Sequence, residues 1–262
     1  LTEYLLATSD KKKYEEATKH PFLDAARKGT IDSDLLSFWL SQDRIYAAHG
    51  YPRFIGGLIT KIPFLSQHKI GSVQETNNQR ILSLLSFSLQ NIVQEADFFQ
   101  KSAQKYGLQI EGWKERAATR NYLAEMARVD SWGSLEEGLV FLWAMEKLYL
   151  DSWSFVASGI LGQDKEDGKD SNAQRAVKDF ARNWSNKEFI KFVDKLAELV
   201  DDLEIDPILE TGRRIKVVWD RIVELEIEFW PDAEEVARMR KHPPSPYLSP
   251  DQVGRTPAAM TS

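Results

Sequence analysis

The 262-residue sequence contains no cysteine. That single absence removes disulfides, thiolate zinc sites and cysteine nucleophiles. Histidine is scarce as well. His20, His49, His68 and His242 are too scattered to suggest a metal centre. None stands three residues after a glutamate, so the Glu-x-x-His pair of four-helix di-iron proteins is missing. Positive charge is in deficit: 34 Lys and Arg against 40 Asp and Glu leave a net charge of −6. This disfavours nucleic acid as a partner and supplies no basic patch for a membrane surface. No apolar run approaches the roughly 18–20 residues that a membrane span needs. The opening residues, Leu1 to Leu6, are too few and too acidic for a signal peptide, so a cytoplasmic location is expected. Alternation with period two is also absent, and with it any expectation of strands.

What is present is helical periodicity almost throughout. The spacing of apolar residues predicts helices over 10–27, 34–60, 76–106, 115–127, 135–161, 172–184, 187–203 and 208–240. Breaks fall at Lys28-Gly29-Thr30, at Ile62-Pro63, between Gly107 and Gly112, and in a charged loop from Gly162 to Gly168. Ser134 with Glu137 reads as a capping box ahead of the fifth helix. Short connections imply antiparallel neighbours. The expected fold is all-α: one helical domain over 1–241, followed by a tail, 242–262, that is extended or mobile. Pro243, Pro244, Pro246, Pro250 and Pro257 keep that tail from being helical.

Three helices each carry one carboxylate inside an apolar stripe. In 34–60, Trp39, Asp43, Tyr46 and Gly50 share a face. In 135–161 the stripe is Leu135, Leu139, Leu142, Glu146, Tyr149, Trp153 and Val156. In 208–240 it is Ile215, Trp219, Ile222, Glu226, Phe229 and Ala233. Glu224, Glu228, Asp232 and Glu235 fall on another side with Arg221 and read as a solvated face. A buried carboxylate is costly unless something pairs with it. Either each acid is separately satisfied by a Tyr, Trp or Arg, or the three meet in a polar pocket inside the bundle. Crowding would raise at least one pKa, and a neutral acid beside an ionised one is the pairing that general acid–base chemistry uses. Trp39, Tyr46, Tyr149, Trp153, Trp219 and Trp230 lie on or beside these stripes, and Tyr122 shares one with Ala118, Met126 and Val129. Such a supply suits a flat heterocycle, although any single aromatic at helical spacing is more often core.

Several segments together resemble the TenA/thiaminase II family. These are His20-Pro21-Phe22, Gly29 and Phe38-x-x-x-Gln42-Asp43-x-x-Tyr46 near the start. Leu142-Trp143-Ala144-Met145-Glu146-x-x-Tyr149-x-x-x-Trp153 follows in the centre, and Glu226-x-x-Phe229-Trp230 near the end. The resemblance implies a heme-oxygenase-like helical bundle in a single domain, and a homo-oligomer, dimer or tetramer. It implies hydrolysis of aminomethyl- or formylaminomethyl-pyrimidines derived from thiamin, with no cofactor and no metal. Asp43 then matches the anchor of the aminopyrimidine, Tyr46 an aromatic lining position, Tyr122 a pocket tyrosine, and Glu226 the acid that protonates the leaving group. Tyr149 falls on the same substrate-binding face. Two departures stand out. Leu142 occupies the position of the family's nucleophilic cysteine, and Glu146 one turn on resembles the glutamate of a cysteine-free branch. Trp184, before Ser185-Asn186-Lys187-Glu188-Phe189, replaces a pocket tyrosine.

Two other functions compete. One is a non-catalytic heterocycle-binding protein on the same scaffold. The other is a heme- or iron-dependent oxidase using His20, or Glu16 and His20 with the stripe carboxylates, although His20 before Pro21 reads better as a turn residue. Oligomerisation is also expected from Ile55, Leu58, Ile59 and Ile62, which follow or flank Gly56-Gly57 and read as exposed apolar surface.

Overall fold

The computed structural model describes residues 1–162 and 170–240, and these form helices in close succession. In chain order they are α1 (Thr2–Ala7), α2 (Lys11–Thr18), α3 (Pro21–Arg27), α4 (Ser33–Ile45), a π-helical turn (Tyr46–Gly50) and α5 (Tyr51–Thr60). Then come α6 (Val73–Tyr106), α7 (Ala117–Trp132), α8 (Leu135–Ile160), α9 (Asn172–Trp184), α10 (Lys187–Asp201), α11 (Glu210–Phe229) and α12 (Ala233–Met239). Among the described residues there is no strand, only an isolated bridge between Trp113 and Arg240. The all-α expectation is met, in one continuous hydrophobic core.

Local chemistry explains the starts and stops. Ser134 accepts the amide N–H of Glu137 while Glu137 accepts that of Ser134, closing the capping box that opens α8. The predicted helix 10–27 is two helices. His20 Nδ1 accepts the Phe22 N–H at 3.2 Å, and Pro21 takes the first helical position of α3. The predicted helix 208–240 is likewise divided. Pro231 has no amide hydrogen to donate, α11 stops at Phe229, and a second capping box at Asp232 starts α12. Ala233 therefore leaves the stripe and is exposed. Glu235 departs from its expected solvated face too: on α12 it grips the buried Arg116 at 2.6 Å. The short helix α1 lies outside all the predicted ranges.

α8 is the axis of the bundle. Its near-continuous apolar sequence is explained by α3, α9, α10 and α11, which pack around it, while α2 closes over α11. The surface expected after Gly56-Gly57 is a correction. Ile55 and Leu58 are fully buried and Ile62 nearly so, because α5 packs against α6, α7 and α8; only Ile59 is half-open. That apolar stretch is consumed inside the protomer. The charged loop beyond Gly162 and the proline-rich tail 242–262 lie outside the described residues.

Candidate active site

Asp43 lies in the last turn of α4 and is 3% exposed. It accepts the Tyr149 hydroxyl, from α8, at 2.7 Å. The π turn follows at once. A π turn holds an extra residue, which resets the helical phase. Tyr46, Ala47 and Tyr51 consequently face the same interior space as Asp43. Gly50, expected on that face, lies instead where an added Cβ would stand 3.0 Å from Leu123 of α7.

Glu146 comes from the middle of α8 and accepts the Tyr51 hydroxyl at 2.5 Å. Glu226, from α11, is 4% exposed and accepts the Tyr122 hydroxyl at 2.7 Å. Its second oxygen, Oε2, is buried and has no hydrogen-bond partner. A fourth carboxylate, Glu95 of α6, accepts the indole N–H of Trp184. Each acid is thus served by one neutral donor, and among the described residues no lysine, arginine or histidine compensates them.

These groups surround two adjoining spaces. The inner cavity, about 30 Å³, is bordered by Asp43, Tyr46, Tyr51, Glu95, Glu146 and Tyr149, with Ile92, Phe99, Met145, Trp184 and Phe189 among its apolar walls. The outer cleft is about 320 Å³. Tyr51, Ile92, Glu95, Glu146, Trp184 and Phe189 border both. Tyr46 caps the inner end: its hydroxyl meets Met145 Sδ at 3.0 Å and its ring packs edge-on to Tyr122 at 5.1 Å. Tyr122 and Glu226 stand behind that ring and border neither space.

The electrostatics follow from burial among like charges. Desolvation, then the nearby Glu95, raises the Asp43 carboxyl well above its ordinary range, although the Tyr149 hydrogen bond opposes this. Burial pushes Glu146 up to about 8, against the Tyr51 hydrogen bond and with help from Glu95 and Glu226. Burial brings Glu95 to about 7 and Glu226 to about 7, opposed by Trp184 and Tyr122 respectively. The cluster therefore carries exchangeable protons near neutral pH, the condition for acid–base work.

All of the sequence-derived site residues come to this region. Asp43, Tyr46, Glu146, Tyr149 and Trp184 border the cavity, and Tyr122 with Glu226 forms a layer behind. The tryptophans divide differently. Trp39, Trp153 and Trp230 build a core cluster against Trp184, Phe180 and Tyr149, and Trp219 stacks on Trp143. They support the cavity rather than line it. His20 is spent on capping α3, and no three His, Asp or Glu side chains converge as a metal site among the described residues.

Sequence reasoning missed Tyr51 and Glu95. Tyr51 was hidden by the π turn. Glu95 had a signal of the same kind as the other three: the buried positions Ile81, Leu85, Ser88, Ile92, Phe99, Ser102 and Tyr106 of α6 alternate in steps of three and four, with Glu95 filling the gap.

Known proteins agree with this architecture. A structure of a TenA homologue from Pyrococcus furiosus superposes with a TM-score of 0.71 at 22% identity, covering 90% of this chain and 98% of that one. A putative TenA-like thiaminase from Sulfolobus solfataricus P2 gives 0.64 at 16% identity, covering 92% and 98%. Both likenesses establish the fold. In sequence, a "Probable bifunctional TENA-E protein" of Glycine max is 22% identical over 218 residues, 83% of this chain and 86% of its own. A "Probable transcription factor" of Fusarium pseudograminearum (strain CS3096) is 27% identical over 258 residues, 88% of this chain. The match spans only 50% of that fungal relative. The profile of the TENA/THI-4/PQQC family matches residues 9–236, and the chain belongs to that family.

Proposed function

We propose that this chain hydrolyses thiamin-derived aminopyrimidines, using buried carboxylates in place of a cysteine. The observation that carries the reading is the cavity itself, where Asp43, Glu95 and Glu146 converge with neutral donors only. The soybean TENA-E relative and the thiaminase-like neighbour support a thiamin-related function, the coarser part of this reading.

In this reading Asp43 holds the aminopyrimidine edge with its neutral carboxyl, the form that burial favours: one oxygen accepts from the amino group and the hydroxyl donates to the ring nitrogen. The planar ring packs among Tyr46, Tyr149 and Trp184. The exocyclic aminomethyl carbon then faces Glu146. Ionised Glu146 takes a proton from water as the water oxygen bonds to that carbon. The C–N bond of the bound ammonium form breaks, and the departing ammonia takes a proton from Glu226 and leaves as ammonium. The products are the hydroxymethyl-pyrimidine and ammonium. A bound ammonium group favours the ionised form of Glu146, which its surroundings otherwise disfavour. With a formylaminomethyl substrate the same water attacks the formyl carbon and releases formate and the amine. Glu226 borders neither space, so its proton reaches the substrate after a side-chain movement or through the Tyr122 hydroxyl it holds.

Purified protein should release ammonia or formate from these pyrimidines, with large losses in Glu226→Gln and Glu146→Gln. No turnover at high enzyme and several pH values contradicts the proposal. A second reading, binding without catalysis, is favoured by Leu142, which is fully buried where the family nucleophile is expected. It calls for a pyrimidine held at Asp43 without turnover, and Asp43→Ala should abolish that binding. Self-association is proposed on the family resemblance alone, and sedimentation at micromolar concentration tests it. Among the described residues no helix is long and apolar enough to cross a membrane.

A further inference from the structure

The outer cleft has a composition that the aminopyrimidine reading does not use. Among the described residues, the charged ones that line it are all acidic: Glu95, Glu146 and Glu188. Asn91, Gln94, Asn183 and Asn186 supply neutral amides, and Tyr51, Trp184 and four phenylalanines supply aromatic faces. Carboxylates with aromatic faces and no basic group suit a cation and oppose an anion. Position matters as well. Asp43 borders only the inner cavity, whereas Glu95 and Glu146 border both spaces. A ring anchored on Asp43 therefore directs its exocyclic substituent past Glu95 and Glu146 toward the cleft. Glu146 has the Tyr51 hydroxyl and the chemistry to serve. Glu95 is bonded through Oε1 to the Trp184 indole, a donor fixed by ring contacts at 4.7 Å to Trp153 and 5.4 Å to Phe180. Its other oxygen is left for a ligand.

We propose that Glu95 is a specificity-determining residue, the counter-charge that makes this site prefer a pyrimidine whose exocyclic group is a cationic amine over neutral or anionic counterparts. The proposal rests on the reading that the pyrimidine is held at Asp43. A phosphorylated pyrimidine would bring a dianion to three acidic groups with no cation in the wall, an arrangement that rejects by repulsion.

Calorimetry with three probes sharing one ring tests this: the aminomethyl-pyrimidine, its hydroxymethyl counterpart, and the phosphate monoester of the latter. The titrations use the full chain, its Glu95→Gln and Glu95→Asp variants, and each of these combined with Glu226→Gln to suppress turnover. The amine should bind about tenfold tighter than the alcohol, the scale of one part-buried ion pair, and the phosphate more weakly than either. Glu95→Gln should bring amine and alcohol to within about threefold while leaving the affinity for the alcohol unchanged. Glu95→Asp should retain the preference. Equal weakening of all three probes by Glu95→Gln overturns the proposal, because it marks a structural role. So does an unchanged amine-to-alcohol ratio, or a phosphate that binds as well as the alcohol. Failure of all three probes to bind removes the Asp43 reading together with this one. Charge-selective binding without turnover removes only the hydrolase.

Discussion

Replacing Glu226 by glutamine should make the protein more stable at neutral pH while destroying its proposed chemistry. Glu226 is 4% exposed, and burial raises its carboxyl from an ordinary 4.5 to about 7. At about 1.4 kcal/mol per pH unit, that displacement corresponds to roughly 3 kcal/mol. The direction follows from proton counting. Between pH 4.5 and about 7 the unfolded chain has released a proton that the folded chain retains. The folded state binds more protons there, so its stability falls as pH rises through the window, and the loss is complete above it. Glutamine has nearly the same shape, still accepts the Tyr122 hydroxyl and never ionises. The stability of Glu226→Gln relative to wild type should therefore climb by about 3 kcal/mol between pH 4.5 and 8. A constant offset of about 1 kcal/mol is superposed, since the new amide N–H group replaces an oxygen that has no partner. Removing Glu226 also relieves Asp43 and Glu146, which feel its charge, and this acts in the same direction. Urea denaturation followed by tryptophan fluorescence at pH 5, 6, 7 and 8 gives the comparison. A flat or falling difference across that range refutes the reasoning, because Glu226 would then ionise at no cost in the folded protein.

Tyr51→Phe removes the hydrogen bond that favours the ionised form of Glu146, so the Glu146 carboxyl should titrate above its present value of about 8 in a carbon-detected NMR titration. Arg116→Ala should cost about 1–3 kcal/mol in denaturant, since Arg116 is 5% exposed and its loss leaves the Phe229 carbonyl without its donor and Glu235 with only the Asp232 N–H of its capping box. Gly212→Ala should cost about 1–3 kcal/mol, because the new Cβ would stand 2.4 Å from backbone atoms of Asp206 and Pro207, which have no rotamer to change. Tyr149→Phe should weaken folding by about 1–3 kcal/mol, as a buried carboxyl loses its donor, and this is read in the same denaturation experiment.

The three stripe carboxylates were legible because a single acid among apolar residues at helical spacing has no inexpensive explanation. Asp43, Glu146 and Glu226 all come to one region of the bundle. The same logic applied to α6 points to Glu95, but Gln94 and Asp97 are exposed beside it and the helix reads as amphipathic overall, which masked the signal. Tyr51 could not be placed by counting, since counting assumes 3.6 residues per turn and the π turn at Tyr46–Gly50 breaks that assumption just beyond Asp43. The apolar run Ile55, Leu58 and Ile62 was misassigned for a related reason. Sequence marks it as needing cover, but not whether the cover is a neighbouring helix or a second copy, and here α6, α7 and α8 provide it. The split at Trp230-Pro231 was signalled by the proline itself, and helical periodicity on either side concealed it.

The central claim is that carboxylates gathered from separate helices perform a hydrolysis at neutral pH without a thiol. Its most direct test is the rate of ammonia release from the aminomethyl-pyrimidine by wild type, Glu146→Gln and Glu226→Gln at pH 7, with folding of each verified. Wild type should turn over, and both variants should lose at least about a hundredfold. Equal rates in all three, or ammonia release by none, would contradict it.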